Sequence, residues 1–352
     1  MDAGATLEQV LEEYGGAKTG APHAGALADC ILNMAQAAIA LADIIARPPL
    51  NGRLGAYAGG VNSDGDAQRN LDVVAEDLFS NALRRSPVAA YVSEETADAS
   101  LFDPDAPLAL AIDPLDGSSS IDVNSPIGSL FSILPMIPEA VATPELAFRQ
   151  TGRAQLAAGF FVYGPQTALI LSTGGGVDLF VFSRETGSFL LVESGLAIPK
   201  TYPEYAINSS NYRHWHAPVR HYIDDCIKGA DGPRGVNFNT RWMAALVADA
   251  FRIFTRGGIY LYPADRRKGY EHGRLRLLYE ANPMAFLMER AGGLATDCIH
   301  PILDIQPTSL HERVPLVMGS ADKVELVRRY HQELSPPNHE SPLFGRRGLM
   351  RG

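Results

Sequence analysis

Apolar positions recur at helical spacing between Gly25 and Arg47, where Leu27, Ile31, Met34, Ala38, Leu41 and Ile45 share one face. Pro48-Pro49 ends that helix. The stretch before it, up to about Pro22, is rich in Gly and Ala and has a short amphipathic piece at Leu7–Tyr14, which reads as a mobile arm or a short helix. The Gly-rich stretch Asn51–Ser63 predicts a flexible loop. A second helix follows, with Leu71, Val74, Leu78 and Ala82 on one face and Asp72 on another, in its first turn. Val88–Ser93 and Pro107–Ile112 read as strands, the latter fully buried. From Ile127 to about Val192 the period shortens: Ser129–Met136, Ala157–Tyr163, Thr167–Ser172, Asp178–Ser183 and Gly187–Val192 predict an antiparallel meander.

The pattern changes again around Gly195–Tyr205. Beyond it the chain predicts a helix near His216–Lys228, a helix starting at Arg241, and strands at Gly257–Pro263 and Leu275–Glu280. Asn282-Pro283 opens a helix that buries Met284, Leu287, Met288 and Ala291 and stops at Gly292-Gly293. A last helix covers Asp322–Leu334. The expected organisation is an arm (1–24), an N-terminal domain (25–196), a C-terminal α/β domain (197–334) and a tail (335–352).

Composition changes this picture little. Of 352 residues 46% are hydrophobic and 20% charged, which suits a globular chain with one or two large cores. The net charge of −10 argues against nucleic acid or an anionic membrane as main partner. Cys30, Cys226 and Cys298 form no C-x-x-C pair and no disulfide framework, so a reducing cytoplasm is expected. No apolar run reaches the length of a membrane span, and the N-terminal residues lack a basic region followed by an apolar core.

The candidate chemistry centres on Asp113-Pro114-Leu115-Asp116-Gly117-Ser118-Ser119. Two carboxylates at a strand end, the Leu115 carbonyl, and the amides and hydroxyls of Gly117, Ser118 and Ser119 describe hard oxygen ligands beside an anion cradle. The bland alternative is an Asp-rich turn closing a strand. Glu94-Glu95 stand at the end of the preceding strand, and strands that end together share a ligand crevice. Arg241, at the expected head of its helix, is placed to hold a phosphate. Glu280 is expected at a strand-to-helix junction. Taken alone, Asp72 reads first as a carboxylate favoured at a helix start, and Asp66 can be no more than a turn residue. His214-x-His216 is a weak metal pair, because Trp215 between them suggests packing.

Taken together, Gly65-Asp66…Leu71-Asp72-Val73, Ser93-Glu94-Glu95, Asp113–Ser119, Gly257–Pro263 and Leu275–Gly293 resemble the class I fructose-1,6-bisphosphatases of the lithium-sensitive sugar-phosphatase superfamily, bacterial type. The resemblance covers about Gly25 to Leu334. Leu278-Tyr279-Glu280-Ala281-Asn282-Pro283-Met284-Ala285 is the block particular to the bisphosphatases, and the Trp-Asp-x-Ala-Ala helix of inositol monophosphatase-like relatives is absent from the sequence. The resemblance implies a layered α/β/α/β/α fold with a mixed N-terminal sheet. It also implies a homotetramer or homodimer and two or three Mg²⁺ per subunit, with Mn²⁺ able to substitute.

It implies roles as well. Glu94, Asp113, Asp116, Glu280 and the Leu115 carbonyl bind metal, while Asp66, Asp72 and Glu95 orient and activate water. Asp116, Gly117, Ser118 and Ser119 cradle the 1-phosphate and sugar. Asn208, Tyr212, Tyr262 and Arg241, the last from a neighbouring subunit, hold the 6-phosphate, and Leu246 and Arg274 flank the sugar. The implied reaction is hydrolysis of fructose 1,6-bisphosphate to fructose 6-phosphate, in gluconeogenesis or the Calvin cycle. Three positions depart from the family: Trp242 for Tyr, Arg274 for Lys and Ser120 for Asn. They leave room for activity on sedoheptulose 1,7-bisphosphate. Thr19-Gly20-Ala21-Pro22 lacks the family's AMP-binding element, so weak or absent AMP inhibition is expected. The competing readings are the same chemistry on an inositol phosphate or phosphonucleotide, and an inactive sugar-phosphate sensor. The sensor should have lost an acid, and all seven acids named above are present.

Overall fold

The computed structural model describes residues 3–15, 23–47, 54–61 and 67–334. Asp66, the Thr19–Pro22 element and the 335–352 tail lie outside the described residues.

The first helix, α1 (Leu7–Gly15), takes the helical alternative for the arm and is fixed in place. Leu7, Val10 and Leu11 enter the core, and the Tyr14 hydroxyl donates to the Thr173 carbonyl at 2.7 Å. Helix α2 (Ala24–Ile45) follows the expected apolar stripe. By length and composition it could cross a membrane, contrary to the sequence reading that no run is long enough. Here it is a core helix, with Leu27, Ile31, Met34, Ala38 and Leu41 at most 4% exposed. Each such Leu, Ile or Met contributes about 1.5–3 kcal/mol of burial.

Within the expected loop Asn51–Ser63, residues 57–61 instead form strand β1 (Tyr57–Val61), antiparallel to β2 (Ala67–Arg69). Two glycines and no apolar alternation hid this strand, whose stability comes from backbone pairing. Helix α3 (Asn70–Leu83) then lies beside α2.

Among the described residues, one sheet has eight strands: β3 (Val88–Ser93), β4 (Ser100–Leu101), β5 (Leu108–Asp116), β6 (Ile127–Pro135), β7 (Ala157–Tyr163), β8 (Thr167–Ser172), β9 (Asp178–Ser183) and β10 (Ser188–Glu193). From β5 to β10 it is the expected antiparallel meander, while β3 pairs parallel to β5. Both faces are buried, and the alternation shows where each points. In β7, Phe161 and Tyr163 pack toward α1–α3, whereas Ala158, Phe160 and Val162 pack toward the C-terminal half.

A second mixed sheet contains β11 (Glu204–Ala206), β12 (Asn239–Thr240) and β13 (Ile259–Tyr262). Strand β14 (Leu275–Arg276) lies apart from it, paired with β16 (Arg313–Val314); β15 (Gly293–Thr296) and β17 (Leu316–Ser320) complete the second sheet. Helices α4 (Ala217–Ile227), α5 (Leu246–Arg256), α6 (Asn282–Arg290) and α7 (Ala321–Leu334) cover its faces. Tyr260, Leu316 and Met318 point inward to α5 and α6, and Ile259, Leu261 and Val317 point outward to α4 and α7. The molecule is therefore layered helix, sheet, helix, sheet, helix, as the resemblance implied. The inner helix layer carries α5 and α6 to the carboxyl ends of β3 and β5.

Candidate active site

Strands β3 and β5 run in step, Ser93 beside Ile112, and the Glu94 amide donates to the Ile112 carbonyl at 3.1 Å. Their ends open on one crevice, where α/β sheets bind ligands. Strand β5 does not stop at Ile112 as expected but runs on to Asp116. Asp113 faces Leu130 and Asp116 faces Gly128, so one extra residue bulges from β5. Pro114 has no N–H for the ladder, and a bulge is where a strand tolerates that. The Leu115 amide donates to Asp113 Oδ1 at 2.9 Å, and the Ser129 hydroxyl donates to the Pro114 carbonyl at 2.7 Å. Gly117 turns the chain out with φ +82°; a Cβ here would stand 2.8 Å from the Ala245 Cβ. Ser118 and Ser119 begin a short 3₁₀ turn, Ser118–Val123.

Glu280 is not at a strand-to-helix junction. Strand β14 ends at Arg276, and Glu280 sits in a π-helical turn, Leu277–Ala281, that runs into α6. Such wide turns add a residue per turn and are frequent at functional sites. The Arg276 amide donates to the Glu280 carboxylate at 2.6 Å, and Arg276 Nη2 lies 3.6 Å from Glu94 Oε1. Next to Glu280, the Tyr279 hydroxyl is 2.9 Å from His311 Nδ1, and His311 Nε2 is 3.0 Å from the Ala97 carbonyl. The carbonyl can only accept, so Nε2 carries the hydrogen and Tyr279 donates to Nδ1. This chain ties the π turn to the loop that follows Glu94-Glu95.

Asp113, Asp116 and Glu280 each offer an oxygen, all within 4.8 Å of one another. Burial first, and then the charges of Glu94, Asp116 and Glu280, hold the Asp113 carboxyl well above the usual carboxylate range. Glu94 is held well above it for the same reasons, burial leading. Asp116 is pushed up to about 7 by burial, against the Val247 amide that donates to its Oδ2 at 2.9 Å and with the Glu280 charge adding to the rise. Burial raises Glu280 too, opposed by Arg276. A buried group of like charges with hard oxygen donors fits a divalent cation, whose charge turns mutual repulsion into attraction.

Asp72 is 4% exposed in the first turn of α3. Its Oδ2 accepts the Arg69 amide at 2.7 Å, while its Oδ1 is buried without a hydrogen-bond partner. Glu95 follows Glu94 directly, and its amide donates to the Ser93 hydroxyl at 3.2 Å.

The residues expected at the far end are less gathered. Asn208, Tyr262 and Arg274 line one pocket, together with Tyr270 and Arg267. Tyr212 is outside that lining, with its hydroxyl donating to Asp224 at 2.8 Å. Arg241 is not at a helix head: α5 begins five residues later, at Leu246. Ala244 takes a left-handed φ of 62°, which breaks the helical path, and Asp249 Oδ2 accepts the Met243 amide at 3.1 Å. Arg241 is exposed, with Nε 3.7 Å from the buried Glu204 carboxylate. Leu246 is buried at the start of α5, and the helix N-terminus serves Asp116 rather than a phosphate on Arg241. Trp242 stacks nearly parallel on Tyr260 and Tyr262, with centroids 5.6 and 6.0 Å away. In the His214-x-His216 pair, Trp215 is buried and His214 Nε2 accepts from Arg213.

The family model described as "Fructose-1-6-bisphosphatase, N-terminal domain" matches residues 8–194, and that of its "C-terminal domain" matches residues 198–332. The chain belongs to the fructose-1,6-bisphosphatase family. It is 53% identical to a "Fructose-1,6-bisphosphatase class 1 1" of a Bradyrhizobium species over 346 residues, 98% of each chain. It is 49% identical to the "Fructose-1,6-bisphosphatase class 1" of Sinorhizobium medicae over 349 residues, 99% of each. The crystal structure of Leishmania major fructose-1,6-bisphosphatase in holo form superposes with a TM-score of 0.86 at 31% identity, covering 94% of this chain and all of that one.

For a chain of this family, sequence reasoning missed three supporting groups. Arg276 stands four residues before Glu280, a spacing that could have flagged it on a helical turn. The Val247 amide has no signature in sequence. Asp249 was hidden by the belief that the helix already began at Arg241.

Proposed function

We propose that this chain hydrolyses the 1-phosphate of fructose 1,6-bisphosphate, releasing fructose 6-phosphate and phosphate. The carrying observation is the buried Asp113–Asp116–Glu280 group at the end of the family's strand–turn motif. In this reading Glu94, Asp113, Asp116, Glu280 and the Leu115 carbonyl hold divalent cations, Mg²⁺ by preference, two or three per site. When bound, the cations supply Lewis-acid neutralisation of the phosphoryl oxygens. Asp66, Asp72 and Glu95 orient the attacking water and take its proton. Support for Asp72 is its unpartnered, buried Oδ1. Gly117, Ser118 and Ser119 hold the reacting phosphate with amides that need no reorganisation.

Asn208, Tyr212, Tyr262 and Arg241 hold the distal phosphate, with Arg274 and Leu246 beside the sugar, so that remote binding positions the reacting end. Arg241 serves a neighbouring copy in a homotetramer, a reading supported by its exposure and its place outside the pocket of its own chain. The chain divides into residues 25–196, carrying metal and 1-phosphate, and 197–334, carrying sugar and distal phosphate. The activity belongs in the cytoplasm, in gluconeogenesis or a carbon-fixing cycle.

The test is phosphate release from fructose 1,6-bisphosphate, sedoheptulose 1,7-bisphosphate and inositol 1-phosphate, each with Mg²⁺ and with EDTA. Turnover of the bisphosphates that disappears with EDTA is expected. Turnover mainly of inositol 1-phosphate would keep the metal chemistry and discard the distal pocket. Silence on all three would favour a sugar-phosphate sensor.

A further inference from the structure

We propose that Asp249 is a positioning residue for the distal side of the site, fixing the Arg241–Ala245 segment that joins the expected phosphate-binding arginine to the metal-binding turn. The inference rests on the distal-phosphate reading above. Its basis is a chain of contacts centred on the first turns of α5.

Segment 241–245 leaves strand β12 and enters α5 through a strained residue, Ala244, so it does not hold its course by propensity alone. Three groups hold it. The Asp249 carboxylate, fully buried, accepts the Met243 amide at 3.1 Å. Arg252, also buried, lies 3.7 Å from Asp249 Oδ1 and 3.2 Å from Glu204 Oε2, and it donates to the Gly257 carbonyl at 3.3 Å. Glu204 in turn has Arg241 at 3.7 Å. One buried carboxylate thus sets the backbone of the segment, and a buried arginine relays its charge to the carboxylate beside Arg241.

The far end of the segment meets the reacting side. Ala245 faces Gly117 so closely that no Cβ fits between them, and the next turn gives the Val247 amide to Asp116. Midway, Trp242 stacks on Tyr262, which lines the distal pocket. A shift at the Met243 end of the segment therefore moves Arg241 and the wall behind Tyr262, while the Ala245 end stays seated on Gly117 and the Val247 amide on Asp116. Asp249 touches no substrate and anchors the Arg241 side of Ala244, so its loss should weaken capture of the distal phosphate more than the chemical step.

The experiment compares Asp249→Asn and Asp249→Ala with wild type on fructose 1,6-bisphosphate and on fructose 1-phosphate, which lacks the distal anion. Circular dichroism confirms that each variant is folded. Asparagine keeps an acceptor for the Met243 amide and nearly the same shape but removes the charge beside Arg252, so it tests the relay and remains testable if the alanine variant does not fold. For Asp249→Asn the KM for the bisphosphate should rise about tenfold with kcat within about twofold, and kcat/KM for fructose 1-phosphate should not move. Asp249→Ala should raise that KM further, the asparagine being a partial rescue. An equal fall in kcat/KM for both substrates, or an unchanged KM, overturns the inference and leaves Asp249 a structural residue. Wild-type protein that uses both substrates equally well overturns the distal-phosphate reading itself, and this inference with it.

Discussion

The two ends of the site are built by different means. The acids sit on the innermost elements of the fold: a bulged central strand, its parallel neighbour, and a π turn at the head of a helix buried from Asn282 to Met288. Asp113 and Glu280 are nearly inaccessible, and backbone amides aim Asp113, Asp116 and Glu280. The distal residues lie on connections. Asn208 opens a 3₁₀ turn, Tyr212 is exposed, and the exposed Arg241 has a long contact to Glu204 and donates to the adjacent Thr240 carbonyl at 3.3 Å. Chemistry that must repeat the same geometry at each turnover is placed where packing leaves no freedom. In the proposed reading, recognition of the far end falls to residues on these connections, with a second copy supplying Arg241. The lesson is that catalysis should fail abruptly when the first region is altered, and affinity gradually when the second is.

The largest effect should come from Asp116→Asn. The amide keeps an acceptor for the Val247 amide, so the fold survives, while the site loses a charge that holds cations. Turnover of fructose 1,6-bisphosphate with saturating Mg²⁺ should drop by about a thousandfold, or about 4 kcal/mol. Activity within tenfold of wild type would remove Asp116 from the metal set and break the contrast between the regions. A smaller change is expected from Arg241→Ala. Losing a charge-assisted contact to a phosphate is worth about 1.5–3 kcal/mol, so KM for the bisphosphate should rise roughly 10- to 100-fold with fructose 1-phosphate unaffected. If mixing Arg241→Ala with Asp116→Asn subunits restores turnover, the arginine acts across subunits. If mixing restores nothing, Arg241 serves its own chain.

The same contrast decided what could be read from sequence. The meander, both strand ends carrying acids, and the apolar face of α6 were legible, because burial imposes a period and an Asp-Pro-Leu-Asp-Gly run has few structural uses. Errors fell where backbone geometry departs from the period. Leu275–Glu280 has the composition of a strand, yet only its first two residues pair, and the rest winds into the π turn that aims Glu280. Arg241–Phe251 has helical composition, yet the capture of the Met243 amide by Asp249 delays the helix to Leu246. Both exceptions bear on the site, as expected where function overrides local preference. The strand at 57–61 was missed for a simpler reason, since glycines carry no pattern.

The smallest predicted effect concerns stability and tests whether the acid cluster is strained without its cations. Burial raises Glu94, Asp113 and Glu280, mutual repulsion adds to the rise at Glu94 and Asp113, and burial with the Glu280 charge brings Asp116 to about 7. In the unfolded chain these groups titrate at about 4. Between about pH 4 and 7 the folded protein therefore retains protons that the unfolded chain has released, so stability falls as pH rises through that window. In EDTA the melting temperature should decline by several degrees from pH 5.5 to 7.5. Divalent cations compete for the same oxygens, so the stabilisation that Mg²⁺ adds should be small at pH 5.5 and grow toward pH 7.5. Asp116→Asn removes one of these titrations and should flatten the decline in EDTA while cutting the gain from Mg²⁺. A melting temperature in EDTA that instead climbs across this range would mean that Arg276 already neutralises the cluster, and the reacting end would then be no more strained than the distal one.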